Sequence, residues 1–76
     1  MADPSHIEIL RKGVPNWNDM RDQKPNFIPD LSGTNLRGAN LAWADLAWAD
    51  LRAAKLGGAK LGGTNLGFAD LRGSMN

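Results

Sequence analysis

Residues 31–50 read LSGTNLRGANLAWADLAWAD, and a leucine opens every group of five. The register continues as LRAAK, LGGAK, LGGTN, LGFAD and LRGSM. Two positions before each following leucine the chain places a small residue, which is alanine or threonine. An unbroken register of this length indicates that one short structural unit is repeated. The repeated leucines are Leu31, Leu36, Leu41, Leu46, Leu51, Leu56, Leu61, Leu66 and Leu71.

The five-residue period fits neither a helix nor a strand. On an α-helix, five residues rotate the position by about 140°, so the leucines would spiral around the surface. On a strand, an odd spacing sends successive leucines to opposite faces. The many glycines in the run also disfavour a helix.

A square coil would gather all the leucines in its interior. If each group of five forms one side and the chain turns at each corner, every leucine points inward and twenty residues complete one coil. Successive coils then stack at strand spacing, about 4.8 Å apart. The small residue before each leucine also faces the narrow interior, where close packing excludes a larger side chain.

The run resembles the pentapeptide-repeat family, whose pattern is A(D/N)LXX. The resemblance covers residues 31–74, and residues 26–30 also fit. It implies an all-β solenoid, namely a right-handed quadrilateral β-helix of about two and a half coils with a short N-terminal α-helical cap. Lys55 and Lys60 depart from the usual Asp or Asn, at a position that faces outward. The expected structural core comprises Leu31, Leu36, Leu41, Leu46, Leu51 and Leu56.

The corners are expected to span each leucine and the three residues after it. Glycine holds the third corner position in five repeats and supplies the positive φ of a type II turn. Other residues hold the same position in four repeats, and we predict other turn types there. These four are Trp43, Trp48, Ala53 and Phe68.

The chain divides into an N-terminal helical cap, residues 1–25, and a repeat domain, residues 26–76. Asp3-Pro4 and Gly13 predict a helix near residues 4–12. Asn16 is the expected N-cap of a second helix near residues 17–23. The apolar side chains of this segment would cover the open end of the first coil.

No cap follows the last repeat. An open end exposes core leucines and unpaired backbone groups, which favours association. Either the last coil stacks on a second copy as a homodimer, or the sequence is a fragment of a longer solenoid. The candidate self-association end comprises Leu61, Leu66, Leu71 and Met75.

Aromatic residues recur at positions twenty apart. Ile28, Trp48 and Phe68 share one column of the expected coil, and Trp43 lies on the neighbouring corner above Gly63. Exposed apolar patches mark binding surfaces, so Trp43, Trp48, Phe68 and Ile28 are candidate protein-interaction residues. Alternatively, the N-terminal helices cover this column, or its rings only stack on each other.

A second column contains only acids, Asp30, Asp50 and Asp70. Stacked carboxylates are able to hold a hard cation. The favoured interpretation is different: these carboxylates accept backbone hydrogen bonds or pair with Arg52 and Arg72. We therefore predict no metal site and no cofactor.

Composition excludes several function classes. Nine Lys/Arg against eight Asp/Glu is too balanced for a nucleic-acid or anionic-membrane partner. No stretch of 18 apolar residues and no secretion signal is present, and cysteine is absent, so a reducing cytoplasm is the expected compartment. His6 is the sole histidine, and the repeat assembles no catalytic triad and no small-molecule site, so we expect no enzyme.

The predicted function is therefore a non-catalytic structural scaffold or protein-interaction module that self-associates through its last coil. The resemblance implies one alternative, since some members of the family look like DNA mimics that act on a topoisomerase. The slightly basic repeat region and its short length disfavour that role. A further alternative is an accessory module of a larger effector system.

Overall fold

Two short helices precede the repeats. The computed structural model describes residues 2–75, with helix α1 at Pro4–Arg11 and helix α2 at Val14–Gln23. The Asp3 carboxylate accepts a 2.9 Å hydrogen bond from the Ser5 N–H and caps α1, while Pro4 occupies the first turn, where an N–H is not needed. The prediction of a helix near residues 4–12 is confirmed.

Helix α2 begins earlier than the sequence suggested. Its N-cap is Gly13, at φ 119°, without a side-chain hydrogen bond, so the prediction that Asn16 caps it is wrong. Pro15 fixes a helical φ in the first turn, and the Trp17 N–H donates to the Gly13 carbonyl at 3.1 Å. Asn16 therefore lies inside the first turn of α2.

The repeats pair with one another at a separation of twenty residues. Residues 2–75 contain no continuous strand, only isolated parallel bridges. The expected all-β class is therefore met only in part: the regular elements are two helices, and the β pairing is confined to single residues. The bridges are Asp30↔Asp50, Asn35↔Lys55, Asn40↔Lys60, Asp45↔Asn65, Asp50↔Asp70 and Lys55↔Met75.

Backbone hydrogen bonds join these twenty-residue layers by a fixed rule. The N–H of a repeat leucine donates to the carbonyl nineteen residues later, as from Leu31 to Asp50 at 2.8 Å and from Leu46 to Asn65 at 2.8 Å. The residue before a leucine donates back to the carbonyl twenty-one residues earlier, as from Asp50 to Pro29 at 2.8 Å. We call residues 28–47 the first layer and residues 48–67 the second.

All corners have the same backbone conformation. Trp43, Trp48, Ala53 and Phe68 have φ values of 69°, 65°, 60° and 57°, within the range of the corner glycines or close to it. The prediction of other turn types at these four positions is therefore wrong. A non-glycine residue in this region costs roughly 1–2 kcal/mol. The hydrogen bond from the Trp43 N–H to the Gly62 carbonyl of the next layer, 3.0 Å, helps to offset that cost.

The repeat leucines form the core. Leu31, Leu36, Leu41, Leu46 and Leu51 are buried, together with the small inward residues Ala44, Ala49 and Ala54. Leu56, which was expected in the core, is only partly buried because it lies beside the C-terminal end of the chain. Trp17 and Leu10 of the helices join the same cluster.

Thr34 and Thr64 occupy the same inward position but differ in hydrogen bonding. The Thr64 hydroxyl donates to the Leu41 carbonyl of the preceding layer at 2.7 Å. The Thr34 hydroxyl lies in the first layer, is buried, and has no hydrogen-bond partner among the described residues. We expect Thr34→Val to raise the free energy of unfolding by about 1–2 kcal/mol, because it removes an unsatisfied buried hydroxyl.

Thr64→Val is the matched control for this prediction. It deletes a hydroxyl that is hydrogen-bonded, so we expect it to lower the free energy of unfolding by about 1 kcal/mol. Urea denaturation followed by circular dichroism measures both changes. Equal effects of the two substitutions would contradict the difference in hydrogen bonding.

Candidate interaction surfaces

The aromatic column lies on the surface. The rings of Trp48 and Phe68 stack with their centroids 4.5 Å apart and their planes at 14°, and Ile28 lines a shallow groove with Trp48. Ile28, Trp48 and Phe68 are 65%, 57% and 80% exposed. The N-terminal helices therefore leave this column uncovered, and its two rings stack on each other. We call these three residues the aromatic stripe.

Trp43 is separate from the aromatic stripe and lies against Gly63. A Cβ at Gly63 would lie 2.6 Å from the Trp43 Cε3 atom, so only glycine allows the indole to approach the next layer so closely. Despite this contact, Trp43 is 75% exposed. The five-residue spacing of Trp43 and Trp48 thus places two indoles on neighbouring corners.

The C-terminal end, residues 57–75, presents a partly apolar surface with unpaired backbone. Leu61 and Leu66 are partly buried, while Leu71 is 39% and Met75 57% exposed. Within residues 2–75, the N–H groups of Leu61, Leu66 and Leu71 lack the interlayer acceptor that the earlier leucines have. All four residues predicted for self-association therefore belong to one end of the molecule.

Helix α2 closes part of the opposite end with side chains. The Trp17 indole N–H donates to the Asp45 carbonyl at 2.7 Å, and Arg21 donates to the carbonyls of Asp45 and Ala47 at 3.2 and 2.9 Å. The Asn18 amide oxygen accepts the Asp45 N–H at 2.8 Å. These side chains replace the backbone partners that another layer would supply.

Helix α1 closes a second side of the first layer. The Asp3 N–H donates to the Asp30 carbonyl at 3.1 Å, and the His6 Nδ1 atom accepts the Asp30 N–H at 3.0 Å. This acceptor role requires an unprotonated Nδ1. The His6 ring also packs on Phe27, with centroids 4.4 Å apart, so His6 has a structural role in the cap.

The Asp and Asn residues of the repeats stabilise the turn that follows them. Each side-chain oxygen accepts the backbone N–H two residues later, in an Asx turn. Lys55 and Lys60 are unable to accept such a bond, so the N–H groups of Gly57 and Gly62 lack it. The residues that make this bond, at 3.0–3.3 Å, are Asp30, Asn35, Asn40, Asp45, Asp50, Asn65 and Asp70.

Two of the three acids in the acidic column are paired with arginine, whereas the Asp30 carboxylate accepts hydrogen bonds from Ser32. Arg52 donates to both carboxylate oxygens of Asp50 at 2.9 and 2.8 Å, and Arg72 does so with Asp70. These hydrogen bonds lower the pKa of the Asp50 carboxyl and lower that of Asp70 to about 2. The described part of the chain brings together no group of three or more His, Cys, Asp or Glu residues that could hold a metal.

The Asp70 carboxyl provides a pH prediction. Its folded pKa is depressed, so its contribution to stability is present above the ordinary pKa of about 4 and is lost as the pH falls towards about 2. We expect Arg72→Ala to move the Asp70 pKa back up, because Arg72 is the largest cause of the shift. Carboxyl-selective NMR titration measures it, and an unchanged pKa in the variant would contradict the pairing.

Sequence reasoning missed one arrangement of charge. Residues 31–44 and 51–64 contain no Asp or Glu, and the bridges stack Lys55 on Asn35 and Lys60 on Asn40. Two adjacent sides therefore carry Arg37, Lys55 and Lys60 without an acid. Sorting the charges into columns twenty apart would have found this basic surface, whereas the balanced total charge conceals it.

Comparison with known proteins identifies the repeat. The family model for pentapeptide repeats matches residues 30–52 and 49–75, in eight copies. No curated protein and no solved structure matches the chain. In residues 2–75, no helix is long and apolar enough to cross a bilayer.

Proposed function

The chain belongs to the pentapeptide-repeat family, and on this premise we propose that it is a non-catalytic structural scaffold that associates with a second copy of itself. The proposed architecture of the repeats is a right-handed quadrilateral β-helix of about two and a half coils. Bridges at a separation of twenty residues and a positive-φ corner every five residues support four sides per coil.

The observation that carries the proposal is the C-terminal end. It offers both unpaired N–H groups, at Leu61, Leu66 and Leu71, and carbonyls at Thr64 and Ala69 that accept no bond from another described residue. An end with donors and acceptors on the same rim is self-complementary, as a two-fold interface requires. A second copy is therefore the proposed occupant.

Apolar contact strengthens this choice. Leu71 and Met75 are exposed at the C-terminal end, and a stacked copy would remove them from water at about 25 cal/mol per Å² of apolar area. Phe68 is also in the last repeats, so stacking would leave an aromatic stripe exposed on each half of the dimer. This stripe is the surface that we propose for a further protein.

Light scattering across a range of concentrations tests the proposal. We expect a mass of twice the 8.2 kDa chain, shifting to the single-chain mass in Leu71→Glu, because a carboxylate at the interface would be desolvated without a partner. Arg11→Glu is the control at the other end, because Arg11 is an exposed residue of α1, and it should leave the dimer intact. A single-chain mass for the parent protein at every concentration would contradict self-association.

A further inference from the structure

We propose that the first layer binds an extended acidic segment of another protein as an added strand on the Asn40 side of its open edge. This surface lies at the end opposite the proposed self-association site, so it goes beyond the proposed function and does not depend on dimer formation. The backbone of the edge, the groove beside it and the charge around it carry the argument.

The open edge consists of unpaired backbone. The N–H groups of Asn35 and Asn40, and the carbonyls of Arg37 and Ala42, bond to no other described residue. The equivalent groups one layer further on are all paired, since the Lys55 and Lys60 N–H groups donate to the Thr34 and Ala39 carbonyls at 2.9 and 2.8 Å. Exposed edges of this kind are the templates for strand addition.

The helices leave this edge open although they close its neighbours. Helix α1 and the residue that caps it supply hydrogen-bond partners for the backbone N–H and carbonyl of Asp30. Helix α2 does the same for the backbone N–H and carbonyl of Asp45. The intervening Asn35 and Asn40 sides receive no such side chain within residues 2–75. The cap thus covers two sides of the first layer and exposes two.

A groove runs beside the open edge. Two adjoining cavities of about 530 and 260 Å³ share Gly13 and Asn40. The larger has Val14, Pro15 and Trp43 in its walls, and the smaller is bounded by Arg11. An added strand would direct alternate side chains into this groove, where the apolar walls favour aliphatic residues.

The surrounding charge selects an acidic segment. The basic surface of Arg37, Lys55 and Lys60 lies on these same two sides, with Arg11 at the groove and no acid in residues 31–44 or 51–64. Lys60 is paired with Asn40 in the adjacent layer, about 4.8 Å from the edge. Carboxylates on the outward positions of an added strand would meet these cations.

Lys55 and Lys60 lack the turn hydrogen bond that the Asp and Asn side chains of other repeats make, which favours a different role for the two lysines. An asparagine side chain at position 55 or 60 would accept the N–H of Gly57 or Gly62, which now lacks an Asx-turn hydrogen bond. We therefore expect Lys55→Asn and Lys60→Asn to stabilise the fold while they weaken binding of the acidic segment. Stability and binding move in opposite directions, which a purely structural role would not produce.

The backbone also distinguishes a peptide from a nucleic acid. The open edge presents carbonyls at Asn35, Arg37, Asn40 and Ala42 as well as N–H groups. Phosphate oxygens accept hydrogen bonds but donate none, so a phosphodiester backbone would leave these carbonyls unpaired. A peptide backbone supplies donors and acceptors in the spacing of the edge.

The test titrates the whole chain with a blocked seven-residue peptide that alternates glutamate and valine. Amide NMR reports the binding site, and hydrogen exchange reports pairing of the edge. We expect shifts at Asn40, with slower exchange of its amide, and no binding of the matched lysine–valine peptide. The already paired amides of Lys55 and Lys60 should keep their exchange rates.

The double variant Lys55→Asn/Lys60→Asn measures the charge contribution. We expect affinity for the acidic peptide to fall roughly 2- to 30-fold, which is the loss of two exposed ion pairs, while the urea midpoint rises. Arg52→Asn/Arg72→Asn is the matched control, because it has the same net charge but alters the acidic column. It should leave the affinity within twofold of the parent.

Three results would overturn the proposal. They are an absence of shifts at Asn40, equal binding of the lysine–valine peptide, and tighter binding of a single-stranded oligodeoxynucleotide at the same amide. Light scattering tests self-association at the C-terminal end, whereas amide NMR tests peptide binding at the first layer. Failure of one proposal is therefore distinguishable from failure of the other.

Discussion

Trp17→Ala is expected to remove about 3–5 kcal/mol from the free energy of unfolding, as buried aromatic truncations do. A chain of 76 residues has a total of about 4–11 kcal/mol, so a large share of the variant should be unfolded at 25 °C. Trp17 is fully buried, and it packs edge-on against Phe27 with centroids 6.2 Å apart. Its indole N–H also donates to the Asp45 carbonyl, so truncation removes a hydrogen bond of the cap as well as packing in the core. Far-UV circular dichroism in urea measures the loss.

Trp17→Phe separates packing from hydrogen bonding. Phenylalanine keeps an aromatic ring at this position, and the Asp45 carbonyl retains the Arg21 guanidinium at 3.2 Å. We therefore expect a smaller loss, about 1–2 kcal/mol. A loss below about 1 kcal/mol for Trp17→Ala would show that the cap does not support the first layer.

Leu46→Ala is expected to cost about 3–5 kcal/mol, since it creates a cavity at the centre of the repeats. Leu46 is completely buried, and its N–H is fixed to the Asn65 carbonyl in the next layer at 2.8 Å. The layers are therefore unable to collapse around the void without breaking backbone bonds. Urea denaturation of the variant and the parent at equal concentration gives the difference.

Ile28→Ala is the control for the core substitution. It removes a similar aliphatic group from a residue that is 65% exposed, so we expect a loss of less than about 1 kcal/mol. Similar losses for Leu46→Ala and Ile28→Ala would contradict the inward placement of the repeat leucines.

The repeating part of the fold was predictable because its constraint recurs in every unit. Each five-residue repeat must bury a leucine and admit only a small residue beside it, so the spacing of these residues in the sequence reveals the interior. The buried Leu41, Leu46 and Ala49 follow from that spacing. The stacking of Trp48 on Phe68 follows from the same period of twenty.

The corners and the cap were predicted less well, for different physical reasons. Trp43 and Trp48 adopt positive φ because interlayer hydrogen bonds override the preference of the single residue. The contacts of Asn18 and Arg21 with Asp45 depend on how α2 docks, and they leave no period in the sequence. The open edge at Asn35 was missed because only the placement of the helices shows which sides remain uncovered.

The uniform corner conformation has a consequence for how such chains diversify. Glycine, alanine, tryptophan and phenylalanine all occupy the same left-handed backbone position, at φ 57–71°, and the side chain there points away from the leucine interior. A point substitution at a corner can thus alter surface chemistry for roughly 1–2 kcal/mol without repacking the interior. Natural variation is therefore expected to concentrate at the corners, where a lineage can acquire new recognition properties while inheriting the same architecture.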